Sequence, residues 1–220
     1  MGTTEQSTDG IGDTNTLWET IESWSVSLFL VGGVLELLFA GINGVAYLTD
    51  IFTYQPWIGL IVLLGRLAFL VGIAGLSVRV ATRNPRLGRW GRVVVLLAIG
   101  FTSGLVILAA LDDFGLFTSP IIAIFGLGSV VSTVVTFILF GIAILRTDAF
   151  SPLIGRLLVA AAITLVALFI GLEIWGIPTR LAGAVGEGVF FVILFALWNG
   201  LRSESGLENR SDTTLNSTDE

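Results

Sequence analysis

Residues 24–48 read WSVSLFLVGGVLELLFAGINGVAYL, and within them Glu36 is the only side chain charged at neutral pH. A helix rises about 1.5 Å per residue, so a run of this length crosses the ~30 Å hydrocarbon core of a bilayer. The segment lacks the alternation and the ~10-residue length of a membrane-barrel strand. Irregular backbone facing lipid would leave its amides unsatisfied. A transmembrane helix is what remains.

Five further stretches repeat the pattern: Trp57 to Val80, Trp90 to Leu111, Pro120 to Leu145, Leu157 to Ile177 and Leu181 to Leu201. The fold class that follows is all-α, a polytopic membrane protein with six transmembrane helices arranged as three antiparallel hairpins. The bundle spans residues 24–201, between an acidic tail at 1–23 and a disordered acidic tail at 202–220. Of all residues 54% are hydrophobic and 13% charged, which is too apolar for a soluble domain to hide behind its own polar surface.

Arginine placement orients the bundle, because basic residues are retained on the cytoplasmic side. Arg79, Arg83, Arg86, Arg89 and Arg92 fall between helices 2 and 3, Arg146 and Arg156 between helices 4 and 5, and Arg202 and Arg210 after helix 6. Connections at the opposite end carry Arg180 beside Asp50, Asp112 and Asp113. Both termini are therefore expected in the cytoplasm of a multi-pass cell-membrane protein. Trp24, Trp90 and Trp198 at inner ends, with Trp57 and Trp175 at outer ends, match an interfacial aromatic belt.

The net charge of −6 belongs to the tails. Residues 1–23 hold five acids and no base, and residues 202–220 hold five acids against two arginines. Without a basic patch there is no nucleic-acid partner to expect. The N-terminus lacks a cationic region ahead of its first apolar run, so no cleavable signal peptide is expected. Thr16 and Glu19 have capping-box spacing, and Leu17, Ile21 and Trp24 share one face, which predicts a short interfacial helix before the membrane. In the C-terminal tail, Asn209-Arg210-Ser211 and Asn216-Ser217-Thr218 match glycosylation acceptors, but a cytoplasmic tail would leave them unused.

Every basic residue is Arg, with no Lys, His or Cys. Together with acidic exposed segments, that bias resembles the small multi-helix membrane proteins of halophilic archaea, a resemblance over most of the chain that implies no activity. The missing side chains exclude more. A retinal Schiff base needs Lys; haem, zinc and cluster ligation by imidazole or thiolate needs His or Cys, as do Ser-His and Cys-His nucleophilic pairs. No Walker loop or dinucleotide-binding glycine fingerprint is present. No catalytic residue, metal ligand or cofactor is expected.

Two inner loops share punctuation at a spacing of 67 residues: Arg79, Pro85, Gly88 and Arg89 against Arg146, Pro152, Gly155 and Arg156. That suggests duplicated hairpins. Within the membrane, Glu36 and Arg66 stand out because ionisable groups there are costly. Counted from the outer ends of helices 1 and 2, both lie roughly 14–18 Å deep. The two helices are adjacent and antiparallel, so the carboxylate and guanidinium should meet, either as a site for solute, ion or proton or as a structural pair fixing register. Ser129, Ser132, Thr133 and Thr136 put four hydroxyls on one face of helix 4, to line a polar path or to pack closely. Gly33, Glu36, Ala40 and Asn43 form a small, polar stripe on helix 1. Glu173, Arg180 and Glu187 read as an ordinary charged cluster near the outer surface.

Two functions fit. The first is a non-enzymatic membrane scaffold or accessory subunit, acting through contacts with lipids and with a membrane-protein partner or another copy of itself. The second is a small transporter or channel, with Glu36, Arg66 and the helix 4 hydroxyls as its binding path.

Overall fold

In a computed structural model, residues 9–49, 56–116, 120–173 and 176–216 are described. They form six helices: α1 (Asp9–Thr49), α2 (Pro56–Arg83), α3 (Pro85–Asp113), α4 (Ile121–Thr147), α5 (Pro152–Glu173) and α6 (Thr179–Asn216). Each contains a span of 19 to 30 residues long and apolar enough to cross a membrane. The expected outer turn at Asp50, Trp175, and Ser217-Thr218 of the second glycosylation triplet lie outside the described residues. So do the side chains of Thr16, Glu19, Glu173, Asn209 and Arg210.

Neighbours in sequence are neighbours in space. α1 packs on α2, α2 on α3, and so on to α6, which returns to α1 and closes a ring; α2 and α4 also touch across it. The three expected hairpins are thus joined side by side. α1 is helical from Asp9, so Thr16 lies inside a helix and does not start one. Nothing between Asp9 and Trp24 breaks the backbone, and a helix already nucleated by the buried span extends at little cost. The same holds at the other end, where α6 runs past Leu201 to Asn216 although the expectation there was a disordered tail.

The two arginine-bearing turns differ in build despite their shared punctuation. A single residue, Asn84, separates α2 from α3, and its side chain accepts the Leu87 amide at 3.2 Å as an N-cap. So short a reversal presses the helices together, and a Cβ on Gly88 would collide with Ala81. Between α4 and α5 lie residues 148–151, with Asp148 left-handed at φ 49°. Pro85 and Pro152 both open a helix, where a missing amide hydrogen costs nothing.

Phe69 of α2, Phe137 of α4 and Phe190 of α6 meet on the axis of the ring. Their ring centroids lie 5.2, 5.4 and 5.9 Å apart, and all three are fully buried. Such contacts add about 0.5–1.5 kcal/mol per pair beyond the area they bury. Toward the arginine-rich end the interior continues as buried Leu70, Ile73, Ile144, Leu158 and Leu197. The outer surface is apolar too, with Leu38, Leu96, Ile107, Ile124, Ile163 and Val192 each at least half exposed. Lipid suits that surface as water does not.

Candidate functional site

α2, α4 and α6 run in the same direction, so residues one turn before their phenylalanines share a level nearer the arginine-poor end. Those residues are Arg66, Thr133 and Glu187. Arg66 donates from Nη2 to Glu187 Oε1 at 2.7 Å, an interaction short enough for a charge-assisted hydrogen bond. From α1, Glu36 brings Oε1 to 3.9 Å from Arg66 Nε. The expected meeting of Glu36 and Arg66 is present, but Arg66 makes its close bond to Glu187.

Close helix contact positions Glu36. A Cβ on Gly32 would lie 2.9 Å from the Gly65 carbonyl oxygen, and one on Gly65 would lie 3.1 Å from Leu35 Cβ and 3.4 Å from Glu36 Oε1. Glycine at these crossing points lets the α1 and α2 backbones approach. Both Glu36 oxygens are buried without a hydrogen-bond partner, as are Glu187 Oε2 and Arg66 Nε. The Glu36 and Glu187 carboxyls both approach the one Arg66 guanidinium.

Above this group, toward the arginine-poor end, lies a cavity of about 270 Å³. Five helices wall it: Phe39 and Asn43 of α1, Val62 and Arg66 of α2, Val130 of α4, Leu165, Leu168 and Phe169 of α5, and Thr179, Ala182, Gly183 and Glu187 of α6. Arg66 and Glu187 are its charged lining, while Glu36 sits behind them at zero exposure. Beneath Arg66 and Glu187 the three phenylalanines close the axis. A second hollow of about 270 Å³ lies at the arginine-rich end, lined by Glu22, Ser23, Ser25, Val26, Leu76, Arg79, Phe150 and Leu201. There Arg79 pairs with Glu22 at 3.6 Å and lies over the Phe150 ring.

The helix 4 hydroxyls do not join the cavity. Ser129, Thr133 and Thr136 are buried and Ser132 half-buried, so the face does look inward. Ser129, however, bonds Thr102 of α3 at 2.7 Å, and Ser132 and Thr136 donate to carbonyls of their own helix. Hydroxyls in an apolar medium take the nearest backbone acceptor or a neighbouring hydroxyl, which makes Ser129, Ser132 and Thr136 packing elements; Thr133 is buried outside the cavity lining. Gly33, Glu36, Ala40 and Asn43 are all buried.

Glu187 is the member that sequence reasoning misplaced. Its assignment to a surface cluster with Arg180 is corrected by its 5% exposure and its bond to Arg66. Arg180 instead donates to the Ala46 carbonyl at 3.2 Å, tying the start of α6 to α1. The signal was available in the helical rise. Glu187 lies eight residues into α6 and Arg66 ten into α2, so in parallel helices the two reach similar depth, roughly 12–15 Å. A scan of known protein families returns no match for this chain, and searches of curated proteins and of solved structures return none either.

Proposed function

We propose that this chain is a membrane transport protein that binds a small charged solute in its central cavity, with Arg66 and Glu187 as the polar contacts. The observation that carries this is a five-helix cavity ending on a buried ion pair, with a closed aromatic layer beneath it. Ligand sites of bundles have this make-up, apolar walls with a few convergent polar groups, and ionisable residues within a membrane most often serve a pathway. The layer of Phe69, Phe137 and Phe190 separates the cavity from the hollow at Arg79, as alternating access requires of a resting state.

By the positive-inside rule we place the arginine-rich end and both termini in the cytoplasm, so that the cavity belongs to the outer half. Apolar grooves of about 500 and 400 Å³ on the α4–α5 and α5–α6 faces suit acyl chains. A scaffold or accessory subunit is the second reading, favoured by the 2.7 Å closure of Arg66 on Glu187, which by itself fixes helix register.

Reconstitution into proteoliposomes with radiolabelled rubidium, methylammonium and acetate separates the two. Transport predicts that one of these crosses with the wild-type chain, and that Glu187→Gln abolishes the flux while the protein remains monodisperse. Absence of flux for all three, or flux unchanged in Glu187→Gln, would leave the scaffold reading in place.

A further inference from the structure

The charges in the polar layer do not balance. Two carboxyls, Glu36 from α1 and Glu187 from α6, share a single guanidinium, Arg66 from α2. These are the titratable groups facing Glu36 from the two helices packed against α1. Glu187 satisfies one oxygen on Arg66 Nη2, which leaves Glu187 Oε2 and both Glu36 oxygens buried and unpartnered. Arg66 Nε, 3.9 Å from Glu36 Oε1, is the one unpartnered donor against these three acceptors, and two carboxylates against one guanidinium leave the layer one positive charge short in an interior where unpaired charge is costly. The place of that charge is given by geometry, since both carboxyls converge on the one guanidinium, Glu36 Oε1 at 3.9 Å from Nε and Glu187 Oε1 at 2.7 Å from Nη2.

We propose that Glu36 and Glu187 share one exchangeable proton, and that a monovalent cation entering through the cavity takes its place. A proton between the two carboxyls turns opposed acceptors into a donor and an acceptor, and brings the layer to zero net charge. Glu187 lines the cavity and at the same time holds the guanidinium that Glu36 approaches from behind. When the cation arrives at Glu187 Oε2, the carboxyl O–H bond breaks and its electron pair stays on oxygen. The proton leaves through the cavity to bulk water. One proton out for one monocation in keeps the buried charge constant, so exchange avoids the cost that either step alone would carry. Phe39 and Phe169 in the cavity wall add two aromatic side chains to the surroundings of an incoming cation.

This rests on the transport reading and makes it specific: the solute is a monocation, and its coupling ion is the proton. The test uses the purified full chain in detergent at neutral pH with minimal buffer. Sodium, potassium and methylammonium chlorides are added in separate arms, with a bulky tetraalkylammonium chloride at equal ionic strength as reference. At least one small cation should release close to one proton per chain, and an infrared band of a protonated carboxyl should disappear in step. Glu36→Gln, which keeps the shape of the side chain, should show no acid band and release no proton, and because its layer is already neutral it should bind the cation far more weakly than the wild type. The wild-type measurement needs no variant, so a misfolded mutant cannot decide the outcome. No acid band in the wild type, or release that the bulky cation matches, would overturn the proposal. Flux of a cation without proton release would overturn exchange while leaving transport standing. Release without flux would do the opposite, keeping the exchange site and removing transport.

Discussion

The phenylalanine layer divides the bundle into halves built on different terms. Toward the arginine-rich end, Ile73, Ile144, Leu158 and Leu197 are fully buried around the axis, and among the described residues no charged side chain is buried with them. Toward the arginine-poor end, the same helices enclose a cavity and place Glu36, Arg66 and Glu187 around its base. In the arginine-rich half the Arg79–Glu22 pair lines a hollow with each side chain a third exposed, and the axis itself closes on apolar side chains. Charge in the other half is therefore not a requirement of the architecture, and its cost of about 2.5–3.5 kcal/mol per group at mid-membrane calls for a use.

The largest expected effect lies in the charged half. Arg66→Ala leaves two buried carboxyls without their cation and should destabilise the chain by about 3–5 kcal/mol, read as a large fall in thermal midpoint in detergent. A shift near zero would mean that water already reaches the layer and that the halves differ less than described.

The dividing layer comes next. Phe137→Ala removes a side chain stacked on Phe69 and should cost about 3 kcal/mol. It should also open a leak between the cavity and the arginine-rich end, measurable as rubidium efflux from proteoliposomes; a tight variant would show that closure lies elsewhere.

Smaller effects sharpen the assignment of the hydroxyls. Thr102→Val breaks the bond to Ser129 and should cost about 0.6 kcal/mol, the usual size of a hydrogen bond between membrane helices, with no change in cation-driven proton release. Loss of proton release would bring helix 4 back into the path. The smallest change in stability belongs to Glu36→Gln, whose thermal midpoint should match the wild type because an amide donates where the shared proton did. A drop comparable to that of Arg66→Ala would mark Glu36 as an ionised strut and not a proton carrier.

Most of the architecture was legible because the bilayer leaves so few solutions: length and hydropathy located six helices, and the short connection between the first two made them neighbours, with Glu36 3.9 Å from Arg66. What stayed hidden depended on adjacency that no loop length reveals. The ring closes by α6 returning to α1, and only that contact brings Glu187 beside Arg66. The helix 4 hydroxyls failed in the opposite direction. Their spacing correctly turned them inward, but spacing does not say whether a hydroxyl faces a cavity or the carbonyl one turn back, and Ser132 and Thr136 take the carbonyl. Helix ends were also missed where polar residues continue a helix, since α1 reaches back to Asp9 and α6 extends to Asn216.

The absence of cysteine from the sequence makes the division into halves directly measurable, because one introduced thiol is unique. Val62→Cys and Ala182→Cys place it in the cavity wall; Ile73→Cys and Leu197→Cys place it beyond the phenylalanine layer. With a small, membrane-impermeant thiol reagent applied from the arginine-poor side of sealed vesicles, the first two should label and the last two should stay silent. Equal labelling of all four, or silence at Val62→Cys and Ala182→Cys, would contradict a cavity that opens to one side and stops at Arg66 and Glu187.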